Sequence, residues 1–330
     1  MEYTISVSEA ISIRKDLFEK LRFEVLSSED ITDINGNKSV LQIAKINELK
    51  LGESTVKDIP AVIFEENLLT KCFDVDGFIG SNLLRNSIIQ FDYKNKLIRI
   101  SSDLNKLDLS NAKTFEIFID KQSSPIFNIQ IGEKAKEMLL FDTGADELYS
   151  MSNTNMNKFK KTKTFSIISE SFGSNSFGFN GLEQESKNYR LLIPELTIQG
   201  LTLKNMVSET TQDYNSRIGA RLLEYGVLTI DYKNSKSHFE PFSQTATLKE
   251  VFWGLSPTFI DGKLVVGRIW SKELKKISVG DEILSINEID MGSVSECEFL
   301  LNSPLLDIKV ATLKIRNPKG EIQTIEIQKE

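Results

Sequence analysis

The residues with the clearest chemical content are Asp142-Thr143-Gly144-Ala145, set directly after the apolar run Met138-Leu139-Leu140-Phe141. A carboxylate at a strand end followed by glycine sits on a tight turn, because Gly144 tolerates backbone angles and close approaches that a side chain forbids. Held rigidly there, Asp142 is a candidate general acid or base. Two such carboxylates brought face to face cannot both ionise, so they share one proton and can activate a water molecule.

Other chemistry is scarce. His238 is the only histidine, and Cys72 and Cys297 are the only cysteines. A Ser-His-Asp triad has a single histidine to draw on, and a His/Cys zinc site would have to gather three widely separated residues. The two cysteines lie far apart in sequence and read as free buried thiols rather than a bridge. The 330 residues carry 40 Lys+Arg against 47 Asp+Glu, a net charge of −7, without a basic run. That balance argues against a sequence-independent grip on nucleic acid phosphates. No stretch approaches the ~18 consecutive apolar residues of a membrane span, and Met1-Glu2-Tyr3-Thr4-Ile5-Ser6 lacks the basic and apolar regions of a leader. Neither a cofactor nor a metal is called for.

The elements that position Asp142 belong to an internal repeat. Residues 78–95 read FIGSNLLRNSIIQFDYKN and residues 217–234 read RIGARLLEYGVLTIDYKN, sharing Ile-Gly, Leu-Leu and Asp-Tyr-Lys-Asn in one gapless register. Upstream, the stretch 46–52 resembles 193–200 in the same way. Between these markers lie short β-branched and aromatic runs broken by Gly, Asn, Asp and Ser, the pattern of strands. The repeat predicts one mainly β lobe present twice, over 1–102 and 112–242, each with a short helix at its Leu-Leu pair. Asp74 and Asp76, before Gly77, read as a solvated turn.

An apolar strand, Asp-Thr-Gly-Ala, a later apolar-Gly pair and a Leu-Leu helix together resemble the pepsin and retropepsin-like aspartic proteases, especially bacterial two-lobed ones. The resemblance covers residues 1 to about 242. It implies duplicated β-barrel lobes and an aspartic peptidase acting on peptides or unfolded proteins. Asp142 would be one of two water-activating acids, on a turn shaped by Gly144, with Thr143 hydrogen-bonding across the lobe interface. It also implies a substrate-covering flap, for which Gly173, Phe177 and Gly178 qualify in the second copy and Gly36 in the first. The first copy holds no Asp-Thr-Gly, and aligning Tyr3-Thr4-Ile5-Ser6 with residues 147–150 sets Met1 level with Ala145. The expectation is therefore a second Asp-Thr-Gly upstream of Met1, along with a secretion signal that would make the protein periplasmic or secreted. The alternative is a genuine start and a degenerate first lobe.

From about residue 248 the pattern changes. Val279-Gly280-Asp281-Glu282-Ile283-Leu284-Ser285-Ile286-Asn287 resembles the signature of PDZ domains, predicting such a domain over 248–330. That resemblance places Phe252-Trp253-Gly254-Leu255 at the loop that captures a peptide C-terminus, with Phe252 departing from the usual glycine. Two functions remain open: a peptidase with a peptide-recruiting appendage, or an inactive protease-like scaffold that binds peptides or protein C-termini through the appendage.

Overall fold

The computed structural model describes residues 3–6, 11–32, 38–52, 54–178 and 181–330. In chain order, a first group comprises β1 (Tyr3–Ser6), β2 (Ser12–Arg14), α1 (Lys15–Leu21), β3 (Glu24–Thr32), β4 (Lys38–Leu51), β5 (Ser54–Phe64), α2 (Leu68–Cys72), β6 (Gly77–Gly80) and α3 (Ser81–Leu84). Next come β7 (Ile88–Asp92), β8 (Leu97–Ser101), β9 (Lys113–Glu116), β10 (Phe118–Ile119), β11 (Pro125–Ile131), β12 (Ala135–Asp142), β13 (Tyr149–Ser152) and α4 (Asn153–Phe159). After them run β14 (Ser166–Gly173), β15 (Phe177–Gly178), β16 (Gly181–Leu182), β17 (Ser186–Ile198), β18 (Leu201–Thr211), β19 (Arg217–Gly219), β20 (Gly226–Asp231), β21 (Lys236–Pro241) and β22 (Thr245–Thr247). The last group is β23 (Leu255–Ile260), β24 (Lys263–Ile269), β25 (Glu282–Ile286), β26 (Ile289–Asp290), α5 (Glu296–Asn302), β27 (Val310–Arg316) and β28 (Ile322–Gln328). The chain is mainly β, as its sequence predicts.

Strand faces follow the period-2 pattern. In β11, Phe127, Ile129 and Ile131 are buried while Asn128 is exposed. In β12, Ala135, Glu137 and Leu139 point inward and Lys136 and Met138 outward. One large core joins the nine-stranded sheet around β11, β12, β17 and β18 to the five-stranded sheet β8-β7-β20-β21-β9. Phe141 sits at that junction, stacked on Phe127 at 5.2 Å and edge-on to Phe91 at 6.3 Å. A smaller core, including Ile11, Ile13, Ile46, Ile59 and Ile63, underlies the first sheet, ordered β1-β6-β2-β5-β4-β3. A third belongs to the C-terminal sheet, β23-β24-β25-β27-β28 with β26 on β25, which α5 closes through Phe299.

The repeat is visible in the pairing. β12 runs parallel to β19, β13 antiparallel to β19 and parallel to β18; correspondingly, β1 runs parallel to β6, and β2 antiparallel to β6 and parallel to β5. The shared Asp-Tyr-Lys-Asn is a turn lock: Asp92 Oδ1 accepts from the Asn95 amide at 3.2 Å, and Asp231 Oδ1 from the Asn234 amide at 3.1 Å. β7 and β20, which precede these turns, pair antiparallel with one another.

This register corrects the sequence alignment of the first copy. Gly80 pairs with Ser6 as Gly219 pairs with Asp142, so Thr4, Ile5 and Ser6 occupy the backbone positions of Leu140, Phe141 and Asp142. Residues 3–6 are thus counterparts of the end of β12, not of residues 147–150. The two cysteines are also not free: Cys72 and Cys297 form a disulfide that joins α2 to α5. Sequence distance misled there, since the fold brings the two Cα atoms to 4.9 Å.

Candidate functional site

Asp142 ends β12, and its carboxylate, 4% exposed, accepts the Gly144 amide at 2.8 Å. The turn is pressed against β19: a Cβ on Gly219 would lie 2.1 Å from the Glu147 carbonyl oxygen, so only glycine fits there. The Ala220 amide donates to the Ala145 carbonyl at 2.8 Å and closes the turn. Thr143 is half-buried beside Asp142.

Facing Asp142 is a cation. Arg217, two residues before Gly219, bonds its guanidinium to the Asp142 carboxylate and reaches Asp213 at 2.6 Å. All three side chains are largely buried. Burial works against the charged guanidinium, but Asp142 and Asp213 outweigh it and hold the Arg217 pKa above its ordinary value. Sequence reasoning missed this partner. Its signal was present: the repeat places Arg217 opposite Phe78, a charge inside a strand where the first copy is apolar.

Two further acids are buried along β12 and the segment that follows it. Glu147 accepts from the Ser150 hydroxyl at 2.8 Å; burial pushes its carboxyl up, and Asp146 and Asp142 push the same way. Five residues before Asp142 on β12, Glu137 is 5% exposed and accepts from the Tyr149 hydroxyl and the Asn155 side-chain amide, each at 2.6 Å, and from the Ser216 hydroxyl. Burial raises the Glu137 pKa despite these donors. It also lifts the Tyr149 phenol well above its usual range, with the Glu137 charge adding to the effect.

The expected flap is a docked hairpin. Gly173, with φ of 148°, lies so close to β24 that a Cβ would come within 2.0 Å of the Gly267 carbonyl oxygen, and the Ser174 amide bonds that oxygen at 3.1 Å. Arg268, fully buried, donates to Asn175 Oδ1 at 2.6 Å, Glu183 Oε1 at 2.8 Å and the Ser186 carbonyl at 2.8 Å. Phe177 packs on the C-terminal core, and Gly178 is buried in the β15–β16 pair. These contacts fasten the hairpin to the C-terminal sheet. Gly36 lies outside the described residues.

The second expected site is likewise engaged internally. The Phe252 amide and carbonyl pair with Glu330, and Trp253 bridges to Lys329. Arg190 stacks over Phe252 at 5.2 Å and Trp270 at 4.4 Å, and donates to the Trp253 carbonyl at 2.9 Å. The Gly254 carbonyl accepts from the Trp270 and Ser271 amides, and Leu255 is buried in the core. Pro257 then removes a donor from edge strand β23, at a bulge. Phe252 and Trp253 therefore meet Arg190, while Gly254 and Leu255 are engaged within the C-terminal sheet.

His238 is buried, with Nδ1 at 2.9 Å from the Thr114 hydroxyl, and burial lowers its pKa. A cleft of about 370 Å³ opens between β7, β8, the 106–108 segment, Val227 and Glu240, and within it Arg99 bonds Gln90 and Asp92. Among the described residues, no group of three or more His, Cys, Asp or Glu is placed to hold a metal, and no helix is long and apolar enough to cross a membrane.

No protein-family model matches this chain, and no curated protein matches it. Among solved structures, it is similar to the basic 7S globulin from soybean, at 10% identity over 73% of this chain and 87% of that one, with a TM-score of 0.38. It is similar to conglutin gamma, a basic 7S globulin from lupine seeds, at 9% identity over 72% of this chain and 87% of that one, also at 0.38. The expected aspartic peptidase with a PDZ appendage is corrected: both of these solved structures are of 7S globulins, and neither is named as a peptidase or a PDZ protein. The site agrees with that correction, since Arg217 faces Asp142 and the register sets Ser6 at the counterpart position.

Proposed function

We propose that this chain is a non-catalytic structural protein in which the Asp142 turn is a lock on the fold. The observation that carries the reading is the Arg217 guanidinium bridging Asp142 and Asp213 within the nine-stranded sheet. A proton-sharing pair sets two acids face to face, whereas here a cation, Arg217, is bonded to the Asp142 carboxylate. A buried carboxylate matched to a buried cation instead opposes local unfolding, because separating the two leaves an uncompensated charge. The docked hairpin and the braced C-terminal sheet support the same reading, since surfaces expected to open onto a ligand are spent on internal contacts.

The test is incubation with a denatured protein substrate from about pH 3 to 7, the range in which carboxylate pairs work. Wild type and Asp142→Asn are both expected to leave the substrate intact, while Asp142→Asn lowers the unfolding midpoint. Cleavage by wild type that vanishes in a folded Asp142→Asn variant would overturn the reading.

A further inference from the structure

Cys72 ends α2, a five-residue helix leading out of the first sheet, and Cys297 lies in the first turn of seven-residue α5. The elements they join belong to different parts of the fold. α5 buries Phe299 in the C-terminal core, edge-on to Phe259 at 5.5 Å, whereas α2 follows β5 and precedes β6 of the first sheet. The C-terminal sheet has a second, independent anchorage: Arg268 in the 175–186 hairpin, Arg190 against Phe252 and Trp270, and the Gly173–Gly267 contact. The first sheet rests on a small core, and helices as short as α2 and α5 are marginal without tertiary support. Both cysteines are half-buried at the surface, beside exposed Lys71, Phe73 and Glu298.

We propose that Cys72–Cys297 is a redox-operated latch: a dithiol reductant frees the first sheet from the C-terminal sheet while the latter stays docked on the middle of the chain. One thiolate of the reductant attacks a disulfide sulfur, the Cys72–Cys297 bond breaks, and a mixed disulfide forms. The second thiolate of the reductant then displaces the protein sulfur. Two electrons pass to the protein, whose sulfurs take up protons as thiols, and the reductant leaves as its own disulfide.

The experiment uses the full chain with dithiothreitol as the dithiol, with thiol alkylation read by mass and backbone hydrogen exchange read by peptide. The oxidised protein should alkylate at neither cysteine and the reduced protein at both, without denaturant. Reduction should speed exchange about tenfold in Leu68–Cys72, Glu296–Asn302 and the β4–β5 hairpin, and leave Leu255–Ile260 and Lys263–Ile269 protected. Cys72→Ser should show the reduced pattern and ignore dithiothreitol. The latch is overturned by unchanged exchange once both thiols are free, by resistance to dithiothreitol in the folded state, or by loss of protection in Leu255–Ile269 along with the rest, which would make the bridge a plain structural staple.

Discussion

At the scale of single residues, the stability of this protein depends on charges that are buried and answered. Removing the Arg217 side chain strands Asp142 and Asp213 together, so Arg217→Ala is expected to cost about 3–5 kcal/mol in urea unfolding. Glu137 sets a pH dependence. Its folded pKa is raised above the ordinary 4.5, so the folded state binds its proton more tightly than the unfolded chain. That contribution is full below the ordinary glutamate value and is lost as pH rises through the folded value. The urea midpoint of wild type should therefore fall more steeply above pH 4.5 than that of Glu137→Gln, and parallel curves would remove Glu137 from the effect. Sequence reading placed Asp142 at the end of a strand, because the apolar run and the acid are adjacent letters. It missed Arg217, Glu137 and Ser216, whose meaning arises only when β12 and β19 lie side by side.

At the scale of elements, hairpin 173–186 is held by contacts with the C-terminal sheet. Its glycines and phenylalanines read as a mobile cover, since sequence alone cannot say that a glycine is needed for a neighbour's carbonyl rather than for motion. Gly173 meets Gly267, and Arg268 supplies the buried cation that Asn175 and Glu183 require. Arg268→Ala leaves Glu183 buried without its cation and is expected to cost about 3 kcal/mol or more, and to expose 173–186 to proteolysis ahead of the rest. Cleavage elsewhere first would show that the hairpin is held by other contacts. The first copy's register was misread for a related reason: Thr4-Ile5-Ser6 shares no letters with Leu140-Phe141-Asp142, and only the pairing of Ser6 with Gly80 identifies the match. The markers that were legible, Ile-Gly and Asp-Tyr-Lys-Asn, are those fixed by a close approach or by a local turn.

At the scale of the whole molecule, three cores are joined by unlike means, the third gathered from residues between Leu255 and Ile327. The disulfide closes a span of 225 positions, for which chain entropy alone gives roughly 5 kcal/mol. Its loss should lower the midpoint of the first sheet more than that of the C-terminal sheet. Whether Asp142 serves the fold by binding Arg217 is read from a double-mutant cycle with Asp142→Asn, Arg217→Gln and the pair, measured by urea unfolding. The account predicts a coupling of about 2 kcal/mol or more, with the double variant less destabilised than the sum of the single ones. Strict additivity, with Asp142→Asn costing almost nothing, would contradict it.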